Sequence, residues 1–376
     1  MHYLDNAATT AVASEVIREI AQVMETCFAN PSSLYQPGLE SELVLRKSRA
    51  AVAAAMGCLA GEVYFTACGT ESNNIAILGA VHARSQWADH IVCTGYEHPS
   101  VENPIARLEQ QGWRVTHVMP GADGTISPEE IAKHVTAKTA LVAAMHVNNE
   151  TGAVIDVAKL AKLVKQANNR TMMHVDGVQA WLRLPLKLSA TEIDSYSVSG
   201  HKIHAPKGIG ALYLRKGCNV LPPFCGGGQE KGVRPGTENL PYIAGIAAAA
   251  QMMQKSMPAR KKKITALNQA LRAALQQMPD IVINSPENAV PEVLNFSVNG
   301  IRSETMLHFL EKSQVYVSSG SACSKGAASH TLGAMGLPVE RVDSALRVSF
   351  SKENTQEDVD ALLSGLADGI AQLQKR

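Results

Sequence analysis

Short apolar runs alternate with amphipathic stretches along most of the chain. Helical spacing of Val16, Ile20, Val23 and Met24 predicts a helix over residues 14–26, and a second helical pattern runs over 39–56. Strand-like runs at 62–66, 89–94, 113–119, 139–146 and 171–175 are interleaved with helical patterns at 75–83, 101–111 and 157–167. Another helix opens at Ser127-Pro128-Glu129-Glu130, with proline and acidic groups where a helix start favours them. Alternation of this kind predicts a mostly parallel sheet covered by helices on both faces. A further strand around Asp194, Tyr196 and Val198 precedes a hairpin strand at 211–215, and helix then fills 243–277. The composition changes at 279–291. Strands at 293–298, 314–318 and 345–350, with helices at 304–312, 339–342 and 355–373, then read as a smaller α+β unit. The predicted division is a large α/β domain over 15–260 and a smaller α+β domain from 1–14 together with 261–376. Arg46, Arg49 and the run Arg260-Lys-Lys-Lys263 are read as solvated helix faces.

Charge narrows the partners. Lys plus Arg number 35 against 34 for Asp plus Glu in 376 residues, a formal net charge of +1, so no overall field favours nucleic acid or an anionic membrane. The seven cysteines are odd in number and show no metal-type C-x-x-C pair, and no metal site is expected. The opening Met-His-Tyr-Leu-Asp is unlike a secretory leader, and a reducing cytoplasm is the expected compartment. No apolar run approaches the roughly 20 residues needed to cross a bilayer.

The chemistry-bearing residues gather just after strands, where ligands sit in open α/β sheets. Small and polar residues at 67–74 would turn backbone N–H groups and the Thr70 and Ser72 hydroxyls toward one point, either as a phosphate cradle or as an ordinary helix cap. His98, Asn148, and then Asp176 with Gln179, follow later strands. Lys202 stands on a turn in Ser199-Gly-His-Lys, bracketed by Pro206, Gly208 and Gly210, where an amine can bond to a carbonyl compound while hydroxyl and imidazole groups hold an anion. The glycine-rich segment 225–239 reads as a loop that passes close to something. An amine, an anion site, a carboxylate and a stacking ring are the parts needed to hold pyridoxal phosphate.

The ordered set resembles the class V aminotransferase superfamily of fold-type I pyridoxal phosphate enzymes, and within it the cysteine desulfurases. The motifs that carry the resemblance are Tyr3-Leu-Asp-Asn-Ala-Ala-Thr-Thr10, Thr70-Glu-Ser-Asn73, Glu97-His98, Asn148-Asn-Glu150, His174-Val-Asp176, Gln179, Ser199-Gly-His-Lys202, Arg234-Pro-Gly-Thr237, Ser318-Ser-Gly-Ser-Ala-Cys323 and Arg347. It spans nearly the whole chain. The resemblance implies that Lys202 carries the cofactor as a Schiff base and moves the substrate α-proton, that Asp176 pairs with the pyridine nitrogen, Gln179 with the ring oxygen, and that His98 stacks on the ring as an acid/base group. Gly69, Thr70, Ser199 and His201 would hold the phosphate, with Thr237 reaching in from the other subunit of a homodimer. Asn148 and Arg347 would position the substrate, the arginine through its carboxylate, and Asn30 would line the same pocket. Cys323, among small polar neighbours, would take sulfur from L-cysteine as a persulfide, leaving L-alanine and supplying a protein acceptor for iron-sulfur cluster or thio-cofactor assembly. Cys27, Cys58, Cys68, Cys93 and Cys218 are expected in the core. Two departures stand out: the segment after Cys323 is shorter than in members with this motif, and Gly177-Val178 replaces the commoner Ala-Thr. The alternatives are another class V enzyme, an aminotransferase or a selenocysteine lyase, or a non-catalytic scaffold.

Overall fold

The computed structural model describes residues 1–319 and 329–374, so Cys323 lies outside the described residues. In chain order the first part comprises β1 (His2–Tyr3), α1 (Ser14–Thr26), α2 (Gln36–Met56), β2 (Val63–Thr66), α3 (Gly69–Arg84), β3 (His90–Thr94), α4 (Pro99–Gln110) and β4 (Arg114–Val118). There follow α5 (Pro128–Ala132), β5 (Thr139–Met145), α6 (Val157–Ala167), β6 (Met172–Asp176), β7 (Ser195–Ser199) and β8 (Gly210–Leu214). These strands form a seven-stranded sheet in the order β2-β8-β7-β6-β5-β3-β4. β8 runs antiparallel to both neighbours and the remaining pairings are parallel.

Burial on both faces explains the apolar runs. Every residue of β5 is buried, Val142 and Ala144 packing into the cluster on one face and Leu141 and Ala143 into that on the other, as a period of two requires. Two of the helices begin at a side-chain acceptor. Ser127 Oγ accepts from Glu130 N at the start of α5, and Asp156 Oδ1 from Lys159 N at the start of α6.

The rest of the chain adds α7 (Leu240–Leu275), β9 (Ile281–Ile283), β10 (Val293–Val298), α8 (Ser303–Glu311), β11 (Val315–Tyr316), α9 (His330–Ala334), α10 (Val339–Asp343), β12 (Ala345–Ser349) and α11 (Gln356–Gln372). β9, β10 and β12 make an antiparallel sheet, and β1 pairs in parallel with β11. Leu294, Phe296, Leu346 and Val348 pack there against Val359, Leu362 and Leu366 of α11. The helix α7 serves both cores: Leu240 to Met253 enter the large-sheet cluster, and Ile264, Leu267, Leu271 and Leu275 enter the smaller one. The expected boundary after residue 260 therefore falls inside one continuous helix.

Several local expectations change. The helix expected from Ile75 begins at Gly69, so residues 69–74 are its first turns. Arg49 is no solvated residue: its guanidinium grips the buried Glu230 through two bonds of 2.6 Å and donates to Val63 O at 2.8 Å. Arg260 is 5% exposed and donates to Met253 O and Leu182 O. Of the cysteines expected in the core, Cys93 is fully buried while Cys27, Cys58, Cys68 and Cys218 are half-buried; Cys225 is exposed. Among the described residues no helix is long and apolar enough to cross a membrane.

Candidate active site

The carboxyl ends of β3, β5, β6 and β7 open on a cavity of about 710 Å³, within the usual range for a small-ligand site. Nine of the expected residues line it: Gly69 and Thr70, His98, Asp176 and Gln179, then Ser199, His201, Lys202 and Arg347.

One corner is built for an anion. Gly69 and Thr70, the first residues of α3, line it, and a helix start carries N–H groups without intrahelical acceptors. A Cβ on Gly69 would stand 2.7 Å from Val178 Cγ2, so only glycine lets the two segments approach. Ser199 Oγ is buried and has no hydrogen-bond partner among the described residues. Burial, together with the charges of Lys202 and Lys207, lowers His201 to about 4. At neutral pH it therefore offers one N–H donor, with Nδ1 3.3 Å from Thr9 Oγ1.

The opposite side carries the carboxylate and the ring. Asp176, the last residue of β6, accepts from Asn73 Nδ2 at 2.8 Å and from Val178 N at 2.9 Å. His98 caps α4, its Nδ1 accepting from Ser100 N at 3.1 Å. Burial, partly offset by Asp176 and reinforced by Lys202, lowers its pKa, so the ring is neutral at neutral pH. Lys202 follows β7 in a short helical turn and donates to Ala7 O at 2.5 Å and Ala8 O at 2.8 Å. Gln179 Nε2 donates to Ala7 O at 2.9 Å, and the buried Arg183 holds its Oε1 at 2.5 Å. The N-terminal Ala7-Ala8 segment is thus a wall of the site, fixed by the two side chains expected to face the ligand.

Arg347 comes from β12 in the smaller core. Its Nη2 pairs with Asp5 Oδ1 at 2.7 Å, its Nη1 donates to Asn149 O at 3.0 Å, and its Nε is buried without a partner among the described residues. Ser318 exchanges backbone hydrogen bonds of 3.1 and 2.7 Å with Arg347, and His330 and Thr331 line the cavity. The described residues on either side of Cys323 therefore both meet this site.

Three expected residues lie elsewhere. Asn148 is fully buried, but its Oδ1 accepts from Glu150 N and Thr151 N at 2.9 Å and its Nδ2 faces Thr331 Oγ1 at 3.3 Å; its neighbour Asn149 is the one on the cavity wall. Asn30 is exposed, holding Ser32 N at 2.9 Å, and Thr237 is exposed. Neither Asn30 nor Thr237 lines the cavity of its own chain.

Sequence reasoning assigned no role to Asn73, His174, Ser100 or Glu97. His174 and Asp176 share a face of β6 by the strand period, and His174 Nε2 lies 3.1 Å from Asn73 Oδ1. That signal was present in His174-Val-Asp176, but the partner a hundred residues away was not. Glu97 lines the cavity with Oε2 buried and without a partner among the described residues. Burial and the nearby Asp176 push it up to about 8 against the pull of Thr94, so it is mostly protonated at neutral pH.

The chain matches the model of the family Aminotransferase class-V over residues 2–362. It is 38% identical to the cysteine desulfurase of Trichormus azollae over 99% of this chain and 93% of that protein. It is 35% identical to the cysteine desulfurase IscS of Methanosarcina thermophila over 99% of this chain and 92% of that protein. Among solved structures, a NifS-like protein superposes with a TM-score of 0.93 at 34% identity, covering 99% of each chain. A structure described as SspA in complex with cysteine superposes with a TM-score of 0.83 at 29% identity, over 94% of this chain and 100% of that one. The protein belongs to the class V aminotransferase family, in its cysteine desulfurase branch, and has the fold of the type I pyridoxal phosphate enzymes.

Proposed function

We propose that the protein is a cysteine desulfurase that works with pyridoxal phosphate, converting L-cysteine to L-alanine and passing the sulfur to Cys323. The observation that carries this reading is the position of the residues flanking Cys323: Ser318 is paired with Arg347, and His330 and Thr331 are on the cavity wall. The cavity residues fit the cofactor. The unsatisfied Ser199 hydroxyl and the α3 N-terminus suit its phosphate, Asp176 its pyridine nitrogen, Gln179 its ring oxygen, and Lys202 its aldehyde. When bound, pyridoxal phosphate supplies an electron sink conjugated to the substrate α-carbon.

The side chains divide the remaining work. Lys202, next to the Ala7 and Ala8 carbonyls, accepts the α-proton and returns it during alanine formation. Arg347 binds the substrate carboxylate, and its orphaned Nε is a donor awaiting an acceptor. Neutral His98, on the cavity wall, would face the cofactor ring. The Cys323 thiolate attacks the substrate sulfur as the carbon-sulfur bond breaks. The bond electrons return to the carbon, which takes a proton, so cysteine and the protein thiol become alanine and a persulfide. Burial raises the thiols of Cys58 to about 12 and Cys218 to about 11 and holds Cys93 well above its ordinary value, which disfavours all three as sulfur acceptors.

Asn148 fits a positioning role, since it fastens the loop that carries Asn149. A homodimer accounts for the exposed Thr237, which would serve the partner's cavity. Phe28, Leu34, Tyr35 and Leu43, each more than half exposed, supply apolar surface for it. The persulfide would pass to a protein acceptor in iron-sulfur cluster or thio-cofactor assembly, in the cytoplasm. Purified protein should be yellow and should form alanine from L-cysteine. A colourless protein that cannot be reconstituted with pyridoxal phosphate would sink this reading.

A further inference from the structure

Behind the cavity, hydrogen bonds run from the middle of the sheet to both sides of the site. Asn73 is fully buried on α3, and its Nδ2 lies 2.8 Å from Asp176 Oδ2 and 2.8 Å from Ser100 Oγ. A carboxylate only accepts, so the amide nitrogen must face Asp176 and the amide oxygen must face His174. His174 is fully buried, and burial lowers it to about 3, so it is neutral, with one donor and one acceptor nitrogen. Its Nε2, 3.1 Å from Asn73 Oδ1, is the donor; its Nδ1, 2.8 Å from Ser195 Oγ, accepts from that hydroxyl. At the other end Ser100 Oγ accepts from Asn73 and so turns its own proton toward His98 Nδ1, 2.8 Å away. The same nitrogen accepts from Ser100 N at 3.1 Å. Two donors meet at Nδ1, and the proton of neutral His98 is left on Nε2.

We infer that Asn73, aligned by His174, is a positioning residue of this site: one amide ties the Asp176 carboxylate to the His98 imidazole and holds His98 as the Nε2–H tautomer. The inference rests on the cofactor reading above. In this state His98 presents a donor to the cavity and cannot accept a proton at Nε2, which leaves the α-proton to Lys202. The two contacts expected on opposite parts of the ring, carboxylate to nitrogen and imidazole to face, are set by a single side chain that touches neither the ligand nor solvent. Each direction in the chain follows from the one before it, starting from an acceptor-only carboxylate.

The test compares His174→Gln, which can still donate to Asn73 Oδ1, with His174→Leu, which cannot. Each protein is titrated with pyridoxal 5'-phosphate while the visible absorption band and the melting temperature are recorded. A lost donor leaves the amide oxygen unsatisfied, so His174→Leu should bind the cofactor roughly tenfold more weakly and displace the band. His174→Gln should remain within about twofold of the unchanged protein on that scale. Equal behaviour of the two variants, with the band unmoved, overturns the inference. Should His174→Leu fail to fold, Asn73→Leu, close to asparagine in volume, decides, because it removes both donors; native affinity and band in that variant would likewise overturn it. Failure of the unchanged protein to bind pyridoxal phosphate would overturn the cofactor reading and this inference with it.

Discussion

The ring of Tyr196 fills the space that a side chain at residue 177 would need. A Cβ built on Gly177 meets Tyr196 Cε1 and Cζ, and the Tyr196 hydroxyl lies 3.1 Å from His146 Nδ1 in an edge-on contact with ring centroids 6.1 Å apart. The departure from alanine after Asp176 is thus matched by a large aromatic residue on the neighbouring strand β7. Gly177→Ala should destabilise the protein by roughly 1–3 kcal/mol through overpacking, read as a lower denaturation midpoint. Combined with Tyr196→Ala, it should cost less than the sum of the single changes. Additive losses would show that the two residues do not compete for this space.

Glu230 is 2% exposed at its side chain and is held by Arg49 through both carboxylate oxygens and by Phe65 N at 3.0 Å. It lies in the glycine-rich segment, with a φ of 46°. Arg49→Met leaves a buried carboxylate without its cation and should lower stability by about 3–5 kcal/mol. Arg49→Met with Glu230→Gln should recover part of that loss, and a thermal-melt cycle over the four proteins measures the coupling.

Glu97 makes stability depend on pH with a definite sign. Its folded value of about 8 stands above the ordinary 4.5, so between these values the folded chain keeps a proton that the unfolded chain releases. The contribution is full below pH 4.5 and is lost as pH rises through 8. His146, lowered to about 4 by burial, acts in the opposite sense: its contribution is full above pH 6.5 and fades as pH falls toward 4. Glu97→Gln should lose less stability than the unchanged protein as pH rises from 4.5 to 8, the range in which only the folded chain holds the Glu97 proton. Parallel melting curves across it would show that Glu97 is ionised throughout.

Arg347→Lys should raise KM for L-cysteine on the order of tenfold or more and lower kcat much less, since an ammonium cannot reproduce a forked contact with a carboxylate. Steady-state alanine formation measures both. A fall in kcat with unchanged KM would move Arg347 from substrate binding to the chemical step.

Much of this architecture is legible in the chain because local pattern and burial agree. The period of two in β5 and the 3.6-residue period of α1 point to the faces they bury, and strands followed by small or polar turns locate the cavity. What depends on distant partners is not legible. Arg49 and Arg260 look like surface charges until Glu230 and Leu182 O arrive from far along the chain. Residues 69–74 look like a turn because Ser72 and Asn73 are poor helix-interior residues; they are tolerated because Thr66, Asp176 and His174 satisfy them. β9 has three residues, too few for a periodic signal. For the same reason Asn73 drew no attention, although it joins two residues that did.

The central claim is that sulfur leaves L-cysteine for Cys323 at a site built around Lys202. Its most direct measurement is alanine formation from L-cysteine under reducing conditions by the unchanged protein and by Cys323→Ala, both first shown to hold pyridoxal phosphate by their visible absorption. The account predicts alanine from the first and a loss of about a hundredfold or more in the second, the scale on which removing a nucleophile is felt. Equal rates from the two proteins, or cofactor-loaded unchanged protein that forms no alanine, would contradict it.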